Sequence, residues 1–343
     1  MTAVTFAANQ GEMGGGEVML LAMAEATRTS GRDARVVGPP GSLLTAAATH
    51  GFATVEIHGR TPAGFLRGLR RWAVTATPEL LWCNGLRPSL ATAWIPRRVV
   101  HLHSLPSARL RPLLPLATRG ADDVLVPSDW MRRQLGEATV TLHNWTRDLT
   151  FSPRLPPRDG SPVRLGFLGR LTSAKGALVL AEALRVLHGR SPGRFHLVVG
   201  GTALYAGKSD ATRVDAALGA LSPAPVRLGW VEPEDFFRQV DLAVFPSVAP
   251  ESFGLVAVEA MAAGCPFVTT DAGALPGVTE NDSSFIAPAG DAPELARVIE
   301  DAVAGYTSRH LEQSRRRWEE LYSPDAGIAR FTRYLAAWEE RSA

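Results

Sequence analysis

Cysteine and lysine are both scarce in this chain of 343 residues. The two cysteines, Cys83 and Cys265, lie in apolar surroundings without metal-ligand spacing to another Cys or His. We therefore expect neither a disulfide framework nor a cysteine metal site. The only lysines are Lys175 and Lys208, and arginine supplies the rest of the positive charge. Such a bias is typical of a GC-rich bacterial genome, and it makes the position of each lysine easy to notice.

Long apolar runs are absent as well. No stretch of about 18 uncharged apolar residues is long enough to span a bilayer. The N-terminus runs directly into an apolar segment, residues 4–8, without the basic region of a signal peptide, so we expect a cytoplasmic protein. Residues 1–155 carry 17 Arg and 11 acidic residues, and the remainder carries 19 Arg and Lys and 23 acidic residues. The basic excess of the first half would suit an anionic partner or membrane surface, or an ordinary solvated face.

Short apolar runs alternate with longer amphipathic stretches, which predicts βα units around parallel sheets. A chain of this length favours two domains of roughly 150 residues each. The predicted strands are residues 4–8, 34–37, 80–83, 99–101, 124–126, 139–142, 163–168, 195–199, 226–228, 242–245 and 267–269. The predicted helices are residues 17–30, 65–73, 174–187, 254–263, 292–304 and 324–341, and one that follows Ser128 as its N-cap.

A proline-rich segment separates the two series of strands. Residues 151–162 contain four prolines, and proline fits neither a helix interior nor a central strand. We read it as a semi-extended interdomain linker. The predicted organisation is a first domain at 1–150, the linker at 151–162, a second domain at 163–323 and a C-terminal helical segment at 324–343.

A glycine-rich loop follows the first strand and opens a helix. It runs from Asn9 to Glu17 and includes Gly15 and Gly16. Glycines allow close backbone approach to a ligand, and a helix N-terminus offers free N–H groups to an anion. A tight turn without a ligand, or a dinucleotide site, would also fit, although the spacing is not Gly-x-Gly-x-x-Gly.

A second loop, between the strand at 163–168 and the next helix, contains Arg170 and Lys175. Two cations near a helix N-terminus suit a diphosphate and would stabilise charge that builds on it as a leaving group. The alternative is that both side chains cap neighbouring carbonyls.

Two glutamates flank the start of a later apolar helix. Glu259 lies inside that helix, where a buried carboxylate needs partners such as the paired hydroxyls of a ribose. Glu251 precedes the helix, near the backbone N–H groups where a sugar could be held. Those groups belong to Phe253, Gly254 and Leu255. The alternative is a solvated loop Glu and a helix Glu paired with an Arg.

These segments together resemble the family-4 retaining glycosyltransferases. The Glu-x7-Glu spacing of Glu251 and Glu259 is similar to the family signature, as are the residues around it. The loop with Arg170 and Lys175 resembles the family's diphosphate loop, and the loop at Gly15-Gly16-Glu17 its first glycine loop. The resemblance implies a GT-B fold of two Rossmann-like α/β domains facing across a cleft, with the C-terminal helix returning to the N-domain.

The resemblance also implies roles for individual residues. Arg170 and Lys175 would bind the donor diphosphate, Glu259 the ribose, and Glu251 with the following backbone the donor sugar. His103 is similar to the family's active-site histidine, and His101 is the alternative. Asn84 and Gly85, beyond another strand end, are candidates for acceptor contacts. One stretch, residues 144–148, departs from the family's Asn-Gly-Val-Asp and puts local packing or acceptor contacts there in question.

No Asp-x-Asp motif is present, so we expect no metal requirement and no cofactor beyond a UDP- or GDP-sugar as co-substrate. The acceptor stays open among a glycan, a lipid-linked and a small molecule, and no nucleic acid is expected. A helix with Arg67, Arg70 and Arg71 could face a membrane or be an ordinary amphipathic helix. Competing readings are a nucleotide-sugar epimerase, a phosphorylase, a non-catalytic glycan- or partner-binding subunit, and, least favoured, a nicotinamide-dependent oxidoreductase.

Overall fold

The computed structural model describes residues 2–203, 207–280 and 282–342. Its contacts divide the chain into two compact units, residues 1–144 with 325–343 and residues 145–324. The predicted first domain begins at Met1 and the predicted C-terminal segment ends at Ala343, and both of these residues lie outside the described residues. Within those ranges, no helix combines the length and the apolar character needed to cross a membrane.

Unit 1 is built on a seven-stranded parallel sheet with the strand order β3-β2-β1-β4-β5-β6-β7. Its strands are β1 (Val4–Ala8), β2 (Ala34–Gly38), β3 (Ala53–Glu56), β4 (Leu80–Asn84), β5 (Arg98–His101), β6 (Asp123–Val126) and β7 (Val140–Thr141). Strand β3 was not predicted from the sequence. It lies at the sheet edge with mostly exposed residues, so it lacks the apolar run that marks the buried strands.

Helices cover the connections of unit 1. They are α1 (Gly15–Thr29), α2 (Ser42–Thr49), α3 (Pro62–Ala76), α4 (Leu86–Ala91), α5 (Leu114–Thr118) and α6 (Asp129–Leu135). The Ser128 hydroxyl accepts a hydrogen bond from Met131 N, as expected for the N-cap of α6. Helix α3 buries Phe65, Leu69 and Ala73, so its apolar stripe packs into the core of unit 1.

The last helix, α14 (Pro324–Ser342), packs against the sheet of unit 1. Phe331 contacts Trp82 of β4 edge-on at 5.3 Å. Tyr334 donates a hydrogen bond of 2.7 Å to Asp123, and Trp338 Nε1 donates to Asp122. The return of the C-terminal helix to the N-terminal unit therefore rests on aromatic packing and on hydrogen bonds to the carboxylates of Asp122 and Asp123.

Unit 2 repeats the architecture with six parallel strands in the order β10-β9-β8-β11-β12-β13. The strands are β8 (Val163–Leu168), β9 (Phe195–Gly200), β10 (Val226–Gly229), β11 (Leu242–Phe245), β12 (Phe267–Thr270) and β13 (Ile286–Ala287). The helices are α7 (Ala177–Arg190), α8 (Lys208–Gly219), α9 (Pro233–Phe237), α10 (Leu255–Ala263), α11 (Leu275–Thr279), α12 (Ala292–Gly305) and α13 (Ser308–Leu321). Both sheets change direction beside their first strand, which is the doubly wound arrangement.

The proline-rich segment at 151–162 has neither helix nor strand, and it lies within unit 2. Ser152 N donates to Ala263 O, and Arg194 donates to Pro157 O. The boundary between the units falls earlier, between residues 144 and 145. Proline prevents regular pairing without preventing the segment from packing on its own unit.

The docking of α14 on unit 1 should depend on pH through Glu339. Its carboxylate accepts two hydrogen bonds from Arg32, at 2.7 and 3.1 Å, and these lower the pKa of Glu339 to about 2. A pKa depressed by folding gives stability that is present above the unfolded value and lost as pH falls through the folded one. We expect Glu339→Gln to lower the free energy of unfolding by about 1 kcal/mol at neutral pH.

Thermal or urea unfolding measures this difference, which should shrink towards zero as the pH approaches about 2. Glu340→Gln, at an exposed neighbouring position, is the control and should change little. An equal loss of stability for both variants would contradict the role of the Arg32 contact.

Candidate active site

The predicted donor residues follow strands β8 and β11. These strands are neighbours in the sheet of unit 2, and the strand order reverses between them. Ligands of doubly wound sheets bind outside the carboxyl ends of the strands at such a point. The loop after β8 carries Arg170 and Lys175, and the loop after β11 carries Glu251. The topology therefore places both loops at one edge of the sheet.

Direct backbone contacts hold these two loops together. Val248 N and Ala249 N both donate to Ala174 O at 3.0 Å. Gly176 has a φ of +79°, and a Cβ there would lie only 1.7 Å from Pro246 O. Only glycine permits both this conformation and this approach, so position 176 sets how closely the loops meet.

The contact between the loops brings Lys175 and Glu251 together. Lys175 Nζ lies 2.5 Å from Glu251 Oε1, and both side chains are mostly buried, with 28% and 15% exposed. The buried Ser247 hydroxyl donates to the same carboxylate oxygen. Thr270 in turn donates to Ser247 O at 2.7 Å. Sequence reasoning did not single out Ser247, because a serine near a strand end carries no signal until the fold shows its partner.

Arg170 is exposed, and no carboxylate pairs with it among the described residues. Within the same ranges neither Arg170 nor Lys175 donates to a backbone carbonyl, so the carbonyl-capping alternative finds no support. The structure thus joins Lys175 to Glu251 and leaves the guanidinium of Arg170 available at the same loop.

The backbone of Glu251 is fixed by the loop after β12. Glu251 O accepts from Ala274 N at 2.8 Å, and Glu251 forms an isolated parallel bridge with Gly273. A Cβ at position 273, where φ is +68°, would lie 2.5 Å from Glu251 O. The Glu251 carboxylate is therefore oriented by the contacts of its own main chain with the loop after β12 and by the hydrogen bond from Ser247.

Helix α10 begins at Leu255, one residue after the predicted start at 254, because Gly254 adopts a left-handed φ of +97° as its N-cap. A Cβ there would meet Leu275 at 2.5 Å. The Phe253 ring is buried edge-on against Tyr322. The backbone of residues 253–255 thus lies at the start of α10, and the side chain of Phe253 serves packing.

Glu259 lies one turn into α10 and is half-buried. Burial raises the pKa of its carboxyl group to about 7, while Arg147 lowers it and Glu232 raises it. Arg147 and Glu232 form an ion pair with each other. No described residue forms an ion pair or hydrogen bond with Glu259 itself, so the alternative of a helix Glu paired with Arg finds no support.

The glycine loop and His103 meet in unit 1. Asn84, at the end of β4, donates from Nδ2 to Gly16 O at 3.0 Å, and its Oδ1 lies 2.6 Å from His103 Nε2. Gly14 caps α1, and Gly15 and Gly16 are its first residues. A Cβ on Gly16 would lie 3.3 Å from the His103 side chain. These contacts place the helix start and the ends of β4 and β5 in one cluster.

The hydrogen bonds of Asn84 determine the tautomer of His103. Because the amide nitrogen already donates to Gly16 O, Oδ1 must accept, and His103 Nε2 carries the proton. Burial lowers the pKa of His103 to about 4, so the ring is neutral near pH 7. His101 is 1% exposed inside the sheet, 4.0 Å from the His103 ring, and burial lowers its pKa as well. The polar setting favours His103 over His101 as the functional histidine, which stays a prediction.

Glu17 is a second buried carboxyl group, which sequence reasoning included only as part of the glycine loop. It is 4% exposed in the first turn of α1, and Gln10 donates to it at 3.1 Å. Burial raises its pKa to about 7. The sequence signal for this burial is an acidic residue among the glycine and apolar residues that begin the helix. Gly85, the other acceptor candidate, has φ +111° and packs against Asn9, so its role here is in the turn.

The stretch that departs from the family pattern is used for packing. Thr146 accepts from Trp318 Nε1 at 2.8 Å, and its N donates to Tyr322 O. Asp148 lies 3.4 Å from Arg315 of α13. Arg147 is the residue of this stretch whose charge lowers the pKa of Glu259.

A known family model matches most of the second unit. Residues 162–304 match the family model described as "Glycosyl transferases group 1". The phosphatidyl-myo-inositol mannosyltransferase of Mycolicibacterium smegmatis is 34% identical over 202 residues, 54% of this chain and 50% of that protein. The D-inositol 3-phosphate glycosyltransferase of Arthrobacter sp. is 37% identical over 146 residues, 37% of this chain and 33% of that protein. The chain spans about half the length of the first curated relatives it matches.

Solved structures share the fold over nearly the whole chain. Anabaena HepE, solved with UDP-glucose, superposes with a TM-score of 0.82 at 21% identity, covering 98% of this chain and 100% of that one. Sucrose-phosphate synthase from Thermosynechococcus elongatus gives 0.81 at 18% identity, covering 99% and 100%. The predicted fold, two Rossmann-like units of GT-B type with a returning C-terminal helix, is confirmed. The match of residues 162–304 to a glycosyltransferase family model agrees with the prediction for the second unit.

The two buried carboxyl groups should make the protein less stable as pH rises. Folding raises the pKa of Glu17 and of Glu259 from 4.5 to about 7. Stability from a raised pKa is fully present below the unfolded value and is lost as pH rises through the folded one. Glu17→Gln and Glu259→Gln should each gain about 1–2 kcal/mol over the wild type between about pH 4 and pH 8.

Unfolding curves at both pH values test this, with Glu312→Gln on the exposed face of α13 as the control. A pH-independent difference for the two site variants would show that these carboxyl groups ionise normally in the folded protein.

Proposed function

We propose that this chain, whose residues 162–304 form a group 1 glycosyltransferase domain, transfers a hexose-type sugar from a nucleoside-diphosphate sugar to an acceptor hydroxyl with retention of configuration. The observation that carries the proposal is the arrangement at the carboxyl ends of β8 and β11. Arg170, Lys175 and Glu251 lie there on loops fixed by main-chain contacts, and Glu259 lies in the following helix α10. Neither Arg170 nor Glu259 has a protein partner among the described residues.

Arg170 and Lys175 are assigned to the donor diphosphate. The first turn of α7 follows directly and adds the partial positive charge of a helix N-terminus. In the ligand-free protein Lys175 contacts Glu251, so diphosphate binding exchanges one anionic partner of the lysine for another. Glu251 keeps its hydrogen bond from Ser247 and is then free to accept sugar hydroxyls.

Glu259 is assigned to the ribose of the donor. Its half-buried carboxylate can accept two neighbouring hydroxyls, and these hydrogen bonds favour the charged form that burial disfavours. A UDP- or GDP-sugar is the proposed donor. The structure of Anabaena HepE with UDP-glucose supports testing UDP-sugars first.

The proposed reaction is a front-face displacement. The acceptor oxygen bonds to the anomeric carbon on the side from which the diphosphate leaves, and a departing phosphate oxygen takes the acceptor proton. Arg170 and Lys175 stabilise the charge on the leaving diphosphate, so no metal requirement is proposed. His103 and Asn84 are assigned to the acceptor. Since His103 directs its Nε2 proton to Asn84, it supplies position and polarity there.

The acceptor is proposed to be a hydroxyl of a glycan, a lipid-linked or a small molecule. Two relatives are named for phosphatidyl-myo-inositol and for D-inositol 3-phosphate, so inositol-containing acceptors are the first to try. Product analysis without acceptor separates this proposal from an epimerase, which needs none.

The donor screen comes first, because a ligand that binds the native state raises its stability. A UDP- or GDP-sugar should raise the melting temperature of the wild type, and ADP- and dTDP-sugars should raise it less. Arg170→Ala should reduce the shift, since it removes a charged phosphate contact. Absence of any shift with all four nucleotide sugars would favour a non-catalytic binding subunit.

Lys175→Ala should slow sugar transfer by roughly a hundredfold or more while the circular dichroism spectrum stays unchanged. Release of the nucleoside diphosphate from the donor found in the screen is the measurement. The matched control is Lys208→Ala, at the only other lysine, which is exposed at the start of α8. Near-normal turnover of Lys175→Ala would sink the assignment of the diphosphate site.

A further inference from the structure

Unit 1 exposes a row of leucines between β5 and β6. Leu110, Leu113 and Leu116 are 45%, 37% and 40% exposed. A short 3-10 helix at Arg111–Leu113 leads into α5, so residues three apart lie on one side. Leu114 of the same segment packs against the core of unit 1, and Ala117 is fully buried. The exposed leucines therefore form the outward side of an element whose inward side is already occupied.

Positive charge surrounds this row. Arg109, Arg111 and Arg119 are all exposed, and residues 102–121 contain no Asp or Glu. Arg111 also donates to Gln134 O of α6, which ties the segment to its neighbour. The acids on that side of α6 are engaged, since Arg132 pairs with both Asp129 and Glu137. We call the three leucines and the three arginines the leucine–arginine face.

An exposed tryptophan borders the face. Trp94 is 61% exposed, and its backbone N donates to Arg119 O at 3.0 Å. Tryptophan is enriched at membrane–water interfaces, where its ring is partly apolar and partly hydrated. Helix α3, the membrane candidate from the sequence, lacks these properties. Its apolar stripe is buried, and Arg70 donates to Ala91 O and Ala93 O.

We propose that the leucine–arginine face binds an anionic lipid bilayer. Peripheral attachment needs two contributions, apolar side chains that enter the interface and cations that meet anionic headgroups. The face supplies both, and the lack of acidic residues makes its charge complementary to the cytoplasmic leaflet. This attachment does not depend on the proposed reaction. With that reaction, it would hold a lipid acceptor near His103, which lies six residues before Arg109, the first residue of the face.

Co-sedimentation of the full chain with vesicles tests the proposal. One set of vesicles is phosphatidylcholine alone, and the other is phosphatidylcholine mixed with an equal amount of phosphatidylglycerol. Binding should require the anionic lipid and should weaken as salt is added. Changing Leu110, Leu113 and Leu116 together to Gln should lower the partition coefficient at least tenfold. Arg109→Gln with Arg119→Gln should lower it about fivefold per arginine, the equivalent of about 1 kcal/mol each.

Matched controls separate this face from exposed residues in general. Val74, Leu155 and Val226, which are 58%, 40% and 55% exposed, are changed together to Gln, as are Arg185 and Arg316. Both controls should bind vesicles like the wild type. All variants should keep the wild-type circular dichroism spectrum and the wild-type melting shift with the donor.

Three outcomes would overturn the proposal. The first is a wild type that stays in the supernatant with anionic vesicles, and the second is a triple-leucine variant that sediments like its control. The third is a dimer, detected by light scattering, that the triple-leucine substitution dissociates, which would assign the face to a second copy of this chain. Vesicle binding is measured without a nucleotide sugar, so failure of the donor screen leaves this test intact.

Discussion

The candidate donor site depends on the close approach of two loops, which is possible because residue 176 has no side chain. With φ at +79° and Pro246 O 1.7 Å from where a Cβ would lie, any other residue would push the loop after β8 away from the loop after β11. The backbone bonds to Ala174 O and the contact between Lys175 and Glu251 both follow from this approach. A main-chain constraint thus determines which side chains share the site.

The two units share one sheet topology, but the side chains at the ends of their strands differ in charge. In unit 2 the strand ends carry full charges, with Lys175 against Glu251 and Arg170 open to solvent. In unit 1 the corresponding positions are uncharged or easily neutralised: His103 is neutral, Asn84 bridges it to Gly16, and burial raises the pKa of Glu17 to about 7. Charged groups suit a diphosphate, and a neutral polar cluster suits the hydroxyls of an acceptor.

Much of the fold was predictable because buried parallel strands are continuous apolar runs, which appear directly in the sequence. Strands β1, β8 and β11 have the predicted bounds. The edge strand β3 was missed because its exposed residues follow no apolar run. The predicted start of α10 was one residue too early, since Gly254 adopts a left-handed conformation and lies close to Leu275. Segment 151–162 packs on unit 2 through backbone contacts that its composition does not encode.

The sequence by itself determined the class of the fold and the candidate donor residues. Strand–loop–helix order places Arg170, Lys175 and Glu251 after the ends of strands and Glu259 in the helix that follows, whatever the details of packing. Only the tertiary structure decided the partners of the candidate site residues. Ser247 lies beside Glu251 and Asn84 beside His103, and among the described residues Glu259 has no hydrogen-bond or ion-pair partner. It also decided that the apolar side of α3 is buried and that three leucines before β6 are exposed. Periodicity shows that a helix has an apolar side, but what covers that side depends on residues distant in the chain.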